Sequence, residues 1–452
     1  MSSERRPSTT AVAILLISQF CSSAAELAQV TVLGKIVYDM TASKLDLGLL
    51  GLAEFAPAAL LVLVTGTVAD RFDRRRVVAC GLLAQAVATG SLGWYVGTRP
   101  TSVVPIFLGV LAFGTGRAFS GPAGRSLPAD MASAEHLPGL VARNAAAFQA
   151  ALIAGPVLGG FLLTVDVRVP FVVLAVLLVA AASTVPLIPI EPMAGVRGKG
   201  AAGMAEVRAE ALEEIGTEAG QDPAAGHGTA LQPEGGGLRE AMEGLRFVRG
   251  QPLLLGAISL DLFAVLFGGA VALLPAIAKD RLGVGAVGLG WLRAAGGIGA
   301  GMMTLMLAAR PITRRVGRTL LMVVALFGIW TIVLGLTRTY AVAFVAMVAL
   351  SGADAVSVYI RATLVPLLTP PDRRGRVLAV ENVFIGASNE LGAFESGVTG
   401  QLIGTVGSVV FGGLATLAVA AGWYAAFPSL RRVDRFPNPE DIGDGVEEGD
   451  RE

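Results

Sequence analysis

The chain has 452 residues, 54% hydrophobic and 15% charged, and its 35 basic residues balance 35 acidic ones. A soluble domain carries about a quarter charged residues, so this composition excludes a water-soluble globule, and zero net charge without a basic arm excludes a nucleic-acid binder. Two histidines, His136 and His227, and two cysteines, Cys21 and Cys80, are too few and too scattered for a metal cluster or a disulfide framework.

Twelve apolar stretches follow one another, at about 11–34, 47–68, 77–97, 102–121, 144–164, 169–189, 252–277, 286–308, 319–337, 340–367, 378–404 and 408–428. Each is close to the roughly 20 residues that cross a hydrocarbon core as a helix. None shows the short alternating segments of a membrane barrel. The predicted fold is an all-α membrane protein with twelve transmembrane helices. The first stretch has a rival reading as a signal peptide, since Arg5 and Arg6 precede it and Cys21-Ser22-Ser23-Ala24-Ala25 supplies small residues. Its apolar character continues past Glu26 through Val30, Thr31, Val32 and Leu33, which favours a retained span. Cys21 and Cys80 fall inside apolar stretches and read as small buried packing residues.

Between spans two and three lies Gly66-Thr-Val-Ala-Asp70-Arg71-Phe-Asp73-Arg74-Arg75. A simple reading is a basic stop-transfer cluster. A related turn, Arg314-Arg315-Val316-Gly317-Arg318, follows span eight, and recurrence at corresponding places indicates a duplicated unit. Span five carries Gly155-Pro156-Val-Leu-Gly159-Gly160. There proline removes a backbone donor and small residues admit a close neighbour, as in ordinary membrane-helix packing.

Residues 191–251 differ in composition, with glycine, alanine and acids dominant, and read as a mostly flexible linker. Near its end, Leu238-Arg-Glu-Ala-Met242-Glu-Gly-Leu245-Arg-Phe-Val248 has the spacing of a short helix on the membrane surface. An ordinary lead-in to span seven is the equal alternative. Cutting here leaves six spans on each side: a bundle over 11–190 after a terminus of 1–10, and a bundle over 252–428 before an acidic tail of 429–452. Most basic residues fall on the side that holds both termini, which the positive-inside rule makes cytoplasmic. Only Lys35, Lys44, Arg99, Arg168, Lys279, Arg281 and Arg338 fall on the other side, and Arg117, Arg293 and Arg361 lie within spans.

Ionisable groups inside a membrane are costly and mark pathways. The carboxylates there are Glu26, Glu54, Asp261, Asp354, Glu381, Glu390 and Glu395. Spans three, six, nine and twelve carry no charge, as expected if those four face lipid, although span five carries none either. Glu26, Asp261, Asp354 and Glu390 are candidate proton carriers; a protonated or hydrogen-bonded packing role is the alternative for each. In span eleven, Glu381, Ser388 and Glu395 form one stripe and Asn382, Asn389 and Ser396 the next. This double stripe is expected to line the pathway, with Glu390 turned toward a neighbouring helix. Glu381, Asn389 and Glu395 are thus candidate pathway contacts, with Phe263 and Phe267 as candidate apolar ones. Arg361 is placed to partner Glu381. The glycines Gly296-Gly297-Ile-Gly299-Ala-Gly301 lie inside span eight and read as helix packing, since a nucleotide loop needs a preceding strand.

The turn at Gly66–Arg75 resembles the signature loop of the major facilitator superfamily: glycine, three residues, Asp-Arg, one residue, glycine, two basics. Asp73 stands where that family usually has glycine. The resemblance implies that Gly66, Asp70, Arg71 and Arg75 act as a conformational switch. Gly155, Pro156, Gly159 and Gly160 resemble the antiporter motif of drug–proton exporters. Two longer stretches, Gly244–Gly256 running into Asp261–Val271, and Ser388–Gly397, are similar to the enterobactin-exporter branch. Together these resemblances imply two six-helix pseudo-repeats in a bacterial inner membrane. They imply a monomer without cofactor that exports drug-like or siderophore-like amphipathic molecules in exchange for protons. The alternative is a transporter fold serving as a membrane sensor or scaffold through its linker. An intramembrane enzyme would need a catalytic constellation, and no Ser-His-Asp group or His-Glu-x-x-His motif is visible.

Overall fold

The structure, a computed structural model, describes residues 8–133, 135–189, 238–370 and 373–437; within these, the side chains of 62, 63, 69, 70 and 238–241 fall outside the described set. Most of the expected linker, His227 included, and the tail beyond 437 lie outside the described residues.

Six helices build the N-terminal half: α1 (Thr9–Thr41), α2 (Lys44–Arg71), α3 (Arg74–Gly97), α4 (Val104–Met131), α5 (Leu137–Leu162) and α6 (Val169–Thr184). Local chemistry fixes their starts. Ser8 accepts from the Ala11 N–H, Ser43 from the Asp46 N–H and Asp73 from the Arg75 N–H, so α1, α2 and α3 each begin on a side-chain cap. Helix α1 runs unbroken through Cys21–Ala25, and its early residues Ala11, Val12 and Leu15 are buried in the core of this half.

The C-terminal half begins with a short helix, Leu238–Gly250, followed by α7 (Pro252–Phe267), α8 (Ala286–Ala309), α9 (Val316–Leu336) and α10 (Tyr340–Leu367). The short helix is a separate element, broken from α7 at Gln251, and its Val248 packs with Val365 and Val377. Helix α7 does not run straight to 277. It stops at Gly268, continues as a 3-10 turn over Gly269–Leu273 and closes with a π-turn at Ile277–Arg281. Glycine propensity explains the break; contact explains the glycine, because a Cβ on Gly269 would lie 2.2 Å from the Gly392 carbonyl.

Among the described residues, ten helices are long and apolar enough to cross a membrane. One, Arg374–Ala426, has 53 residues and doubles back at Gly404, whose φ of 80° suits glycine alone. Its limbs, 374–403 (α11) and 405–426 (α12), make two traverses. With α2, which has 28 residues, the chain crosses twelve times.

Helices α3 and α6 pack on each other and on α4 and α1, within their own half. Cys80 on α3 is exposed and Cys21 half-buried, which corrects the expectation that both are buried: a rim helix turns apolar atoms to lipid instead of to protein. The halves meet through α2 on α11 and α5 on α8. An apolar cluster at one end joins Tyr38 and Leu47 to Leu273, Leu274 and Leu289.

Candidate functional site

A cavity of about 350 Å³ lies between the halves. The N-terminal half lines it with Glu54 of α2 and Arg117 of α4. The C-terminal half contributes Arg293 of α8, Asp354 of α10, and Asn389 and Glu390 of α11. Apolar walls come from Leu50, Val265, Phe327 and Leu350. Helices α3, α6 and α12, whose apolar spans carry no charge, line none of it, and α9 contributes only Phe327.

The charges divide by partner. Arg117 donates to Glu54 at 2.6 Å and lies 3.6 Å from Glu26, so one cation serves two carboxylates of its own half. On the other side, Arg361 lies 2.7 Å from Asp261 and 3.7 Å from Glu381, with all three buried. Charges removed from water need this mutual pairing. Asp354, Glu390 and Arg293 make no ion pair or side-chain hydrogen bond among the described residues. Asp354 also borders a small cleft with Asp261 and Ser357. It therefore stands between the cavity and the buried Arg361 cluster.

Of the double stripe of α11, Asn389 lines the cavity and the other members do not. Ser388 is fully buried and donates to the Ile385 carbonyl, Glu381 faces Arg361, and Ser396 packs where Ser408 donates to its carbonyl. Glu395 accepts from Ser396, away from the cavity lining. Those polar groups satisfy one another inside their own half. The face that meets the cavity is Asn389, Glu390 and Ala393, and Glu390 reaches α2, where a Cβ on Gly51 would lie 2.9 Å from its Oε2. Phe263 is turned to Trp423 of α12, with ring centroids 5.4 Å apart, and Phe267 to Phe411. Neither phenylalanine lines the cavity.

Small residues of α5 do what their size permits. A Cβ on Gly155 would lie 2.7 Å from the Ala24 carbonyl and one on Gly159 2.9 Å from that of Ala28, both on α1. On the opposite face, a Cβ on Gly160 would lie 2.5 Å from the Ala286 carbonyl, and one on Gly290 2.5 Å from that of Pro156. Helix α5 is thus wedged between its own half and α8 of the other, and Gln149 adds a hydrogen bond to the Gly297 carbonyl at 2.6 Å.

The turn between α2 and α3 is built on Asp73. Its Oδ1 caps the Arg75 N–H at 3.0 Å, and its other oxygen pairs with the Arg75 guanidinium at 2.8 Å. That hydrogen-bonded guanidinium holds the Asp73 carboxyl below the usual carboxylate range. Asp73 thus occupies the place of the usual glycine as a helix cap. Arg75 also donates to the Ile188 carbonyl at 2.8 Å, and Arg74 pairs with Asp130 of α4 at 2.7 Å. Arg71 is exposed at the end of α2, Gly66 has open space around it, and the Asp70 side chain lies outside the described set.

At the opposite end the halves are latched. Lys279 pairs with Asp39 at 2.8 Å, Lys35 shares that carboxylate at 2.7 Å, and the Tyr38 hydroxyl donates to Asp280. The Lys44 N–H also donates to Gln401 at 3.2 Å. The sequence marks only Lys35, Lys44 and Lys279 here, as basic residues of the far side, and nothing in it pairs them with the other half. Arg117 and Arg293 had a visible signal as basic residues inside apolar spans, but pairing cannot be read from one chain. Among the described residues no group of His, Cys, Asp or Glu is placed to hold a metal ion.

Solved structures share this architecture. A bacterial homologue of the human lysosomal transporter Spinster, inward-facing and occupied, superposes with a TM-score of 0.67 at 15% identity, covering 92% of this chain and 96% of its own. A D-xylose–proton symporter gives 0.64 at 16% identity, with 93% and 98% covered. A POT family transporter in complex with 5-aminolevulinic acid gives 0.67 at 11%, with 93% and 96% covered. At such identities the likeness is one of fold. No curated protein sequence gives a match. The sequence model of the Major Facilitator Superfamily matches residues 15–393, and the chain belongs to that superfamily of membrane transporters.

Proposed function

We propose that this transporter exports amphipathic small molecules in exchange for protons, with Glu390 and Asp354 as the proton-carrying groups. The observation that carries this reading is the inequality among the carboxylates. Glu26, Glu54, Asp261 and Glu381 each lie within 4 Å of an arginine, whereas Asp354 and Glu390 face the cavity without an ion pair among the described residues. An unpaired carboxylate in a low-dielectric cavity binds either a proton or a cationic group, and the two exclude each other. Such exclusion is the chemical basis of antiport. The latch at Asp39, Tyr38, Lys279 and Asp280 closes the side facing away from the cytoplasm, and both termini lie in the cytoplasm of a bacterial inner-membrane protein. Gly66, Asp70, Arg71 and Arg75 belong to the switch at the cytoplasmic end, and Gly155, Pro156, Gly159 and Gly160 to the sliding contact of antiporters. Asp261 and Glu26, held by arginines, tune these groups. The chain works as a monomer and is not an enzyme. The stretches Gly244–Gly256 into Asp261–Val271 and Ser388–Gly397 support kinship with the enterobactin-exporter branch.

The test begins with a deletion strain screened for compounds it no longer exports. In proteoliposomes an inward proton gradient then drives export of such a compound, and Glu390→Gln is expected to leave exchange without gradient-driven accumulation. Equal accumulation in wild type and variant removes Glu390 from the mechanism.

A further inference from the structure

Three arginines lie within the membrane-spanning helices, and each has a different environment. Arg117 has Glu54 and Glu26; Arg361 has Asp261 and Glu381. Arg293 has neither an ion pair nor a hydrogen bond among the described residues, and its Nε is buried without a partner. It nevertheless lines the same cavity as Asp354 and Glu390. A guanidinium carries five donors and keeps its charge under all ordinary conditions. Leaving its Nε buried and unpaired is costly, and the cost is recovered when an anion enters.

The cavity is shaped for that anion. Gly34 of α1 lines the cavity beside the Arg293 guanidinium, where a Cβ would lie 3.7 Å from Nη2. Arg117 is not a competing anchor, because two carboxylates already neutralise it. The N-terminal half therefore offers one cation already matched by two carboxylates, while the C-terminal half offers one open cation and two open carboxylates.

We infer that Arg293 is the anchor for an acidic group on the substrate, so that the preferred substrates are small aromatic or aliphatic ampholytes. Their carboxylate, or an equivalent planar oxyanion, is bound bidentately by Arg293, and their basic group takes the place of the proton at Glu390 or Asp354. The apolar body rests on Val265, Phe327 and Leu350. A cavity of about 350 Å³ lies at the small end of small-molecule sites, which fits a single compact ligand. This inference rests on the cavity being the transport site, and the two stand or fall on separate measurements.

The test uses three indole compounds on the purified full-length protein: tryptamine with only the amine, indole-3-propionate with only the acid, and tryptophan with both. Binding is read as thermal stabilisation across a concentration series. Wild type is expected to bind tryptophan about tenfold or more tightly than tryptamine, the worth of one charged hydrogen-bonded contact. Arg293→Gln removes that preference and leaves tryptamine unchanged, while Arg293→Lys, which keeps charge without the fork, retains part of it. Equal binding of the acid-bearing compounds by wild type and Arg293→Gln, or no binding of either acid-bearing compound by wild type, overturns the inference. If acid-dependent binding is found but proton-driven flux is not, Arg293 stands as the anchor and the proton-exchange reading falls.

Discussion

Arg361 holds Asp261 and Glu381 with a side chain only 4% exposed, and removing it would strand two carboxylates in a low-dielectric interior. Breaking a buried pair from one side costs about 3–5 kcal/mol. Arg361→Met is therefore expected to lower the thermal unfolding temperature of the detergent-purified protein sharply. The triple variant Asp261→Asn, Arg361→Met, Glu381→Gln is expected to regain most of the loss, and no loss in the single variant contradicts the pairing. Asp73 gives a second test at this scale. Its folded pKa lies below its unfolded value of about 3.9, so its stabilising effect is fully present above about pH 4 and is lost as pH falls through the lowered value. The stability gap between wild type and Asp73→Ala should stay constant from about pH 8 to about pH 5 and narrow under stronger acid. A gap that widens on acidification would reverse the sign of the argument.

Helix α5 makes its contacts where glycine lets backbone meet backbone. A Cβ on Gly160 meets the Ala286 carbonyl at 2.5 Å and the Gly290 Cα at 3.2 Å, both backbone atoms that cannot step aside. Gly160→Leu is expected to push α5 from α8 and reduce transport by about tenfold, the scale of a 1–3 kcal/mol overpacking strain, in a flux assay. Gly66 is the contrast: nothing lies within 4 Å of its Cβ position, so Gly66→Ala fits this conformation. A transport defect there, with normal stability, would place the need for glycine in another state of the cycle. The spans themselves were legible because hydropathy of this strength has no soluble explanation. Asp73 as a cap, the broken end of α7 and the inward turn of the α11 stripe were not. The first depends on backbone geometry, the second on a neighbour's carbonyl, and the third on which helices flank α11. Seven membrane carboxylates were visible, but which four of them an arginine neutralises was fixed only by packing between helices distant in sequence.

Across the whole molecule, the cavity between the halves is closed at one end by Lys279–Asp39 and Tyr38–Asp280, and two unpaired carboxylates face its interior. A ligand or proton shifts such a two-state balance only by its differential affinity for the states. Replacing Asp39 and Asp280 with asparagine removes latch contacts present in one state and should raise the population open at that end. If protons at Glu390 and Asp354 drive exchange, their occupancy sets how the halves are arranged. Spin labels placed across the latch end and across the opposite end, with Cys21 and Cys80 replaced, measure that arrangement directly. For wild type in lipid nanodiscs the two inter-half distances should change in opposite directions between about pH 5 and about pH 8, the range that protonates or bares a membrane carboxylate. In the Asp354→Asn, Glu390→Gln variant they should stay fixed. Distances that ignore pH in wild type, or that respond equally in the variant, would contradict the account.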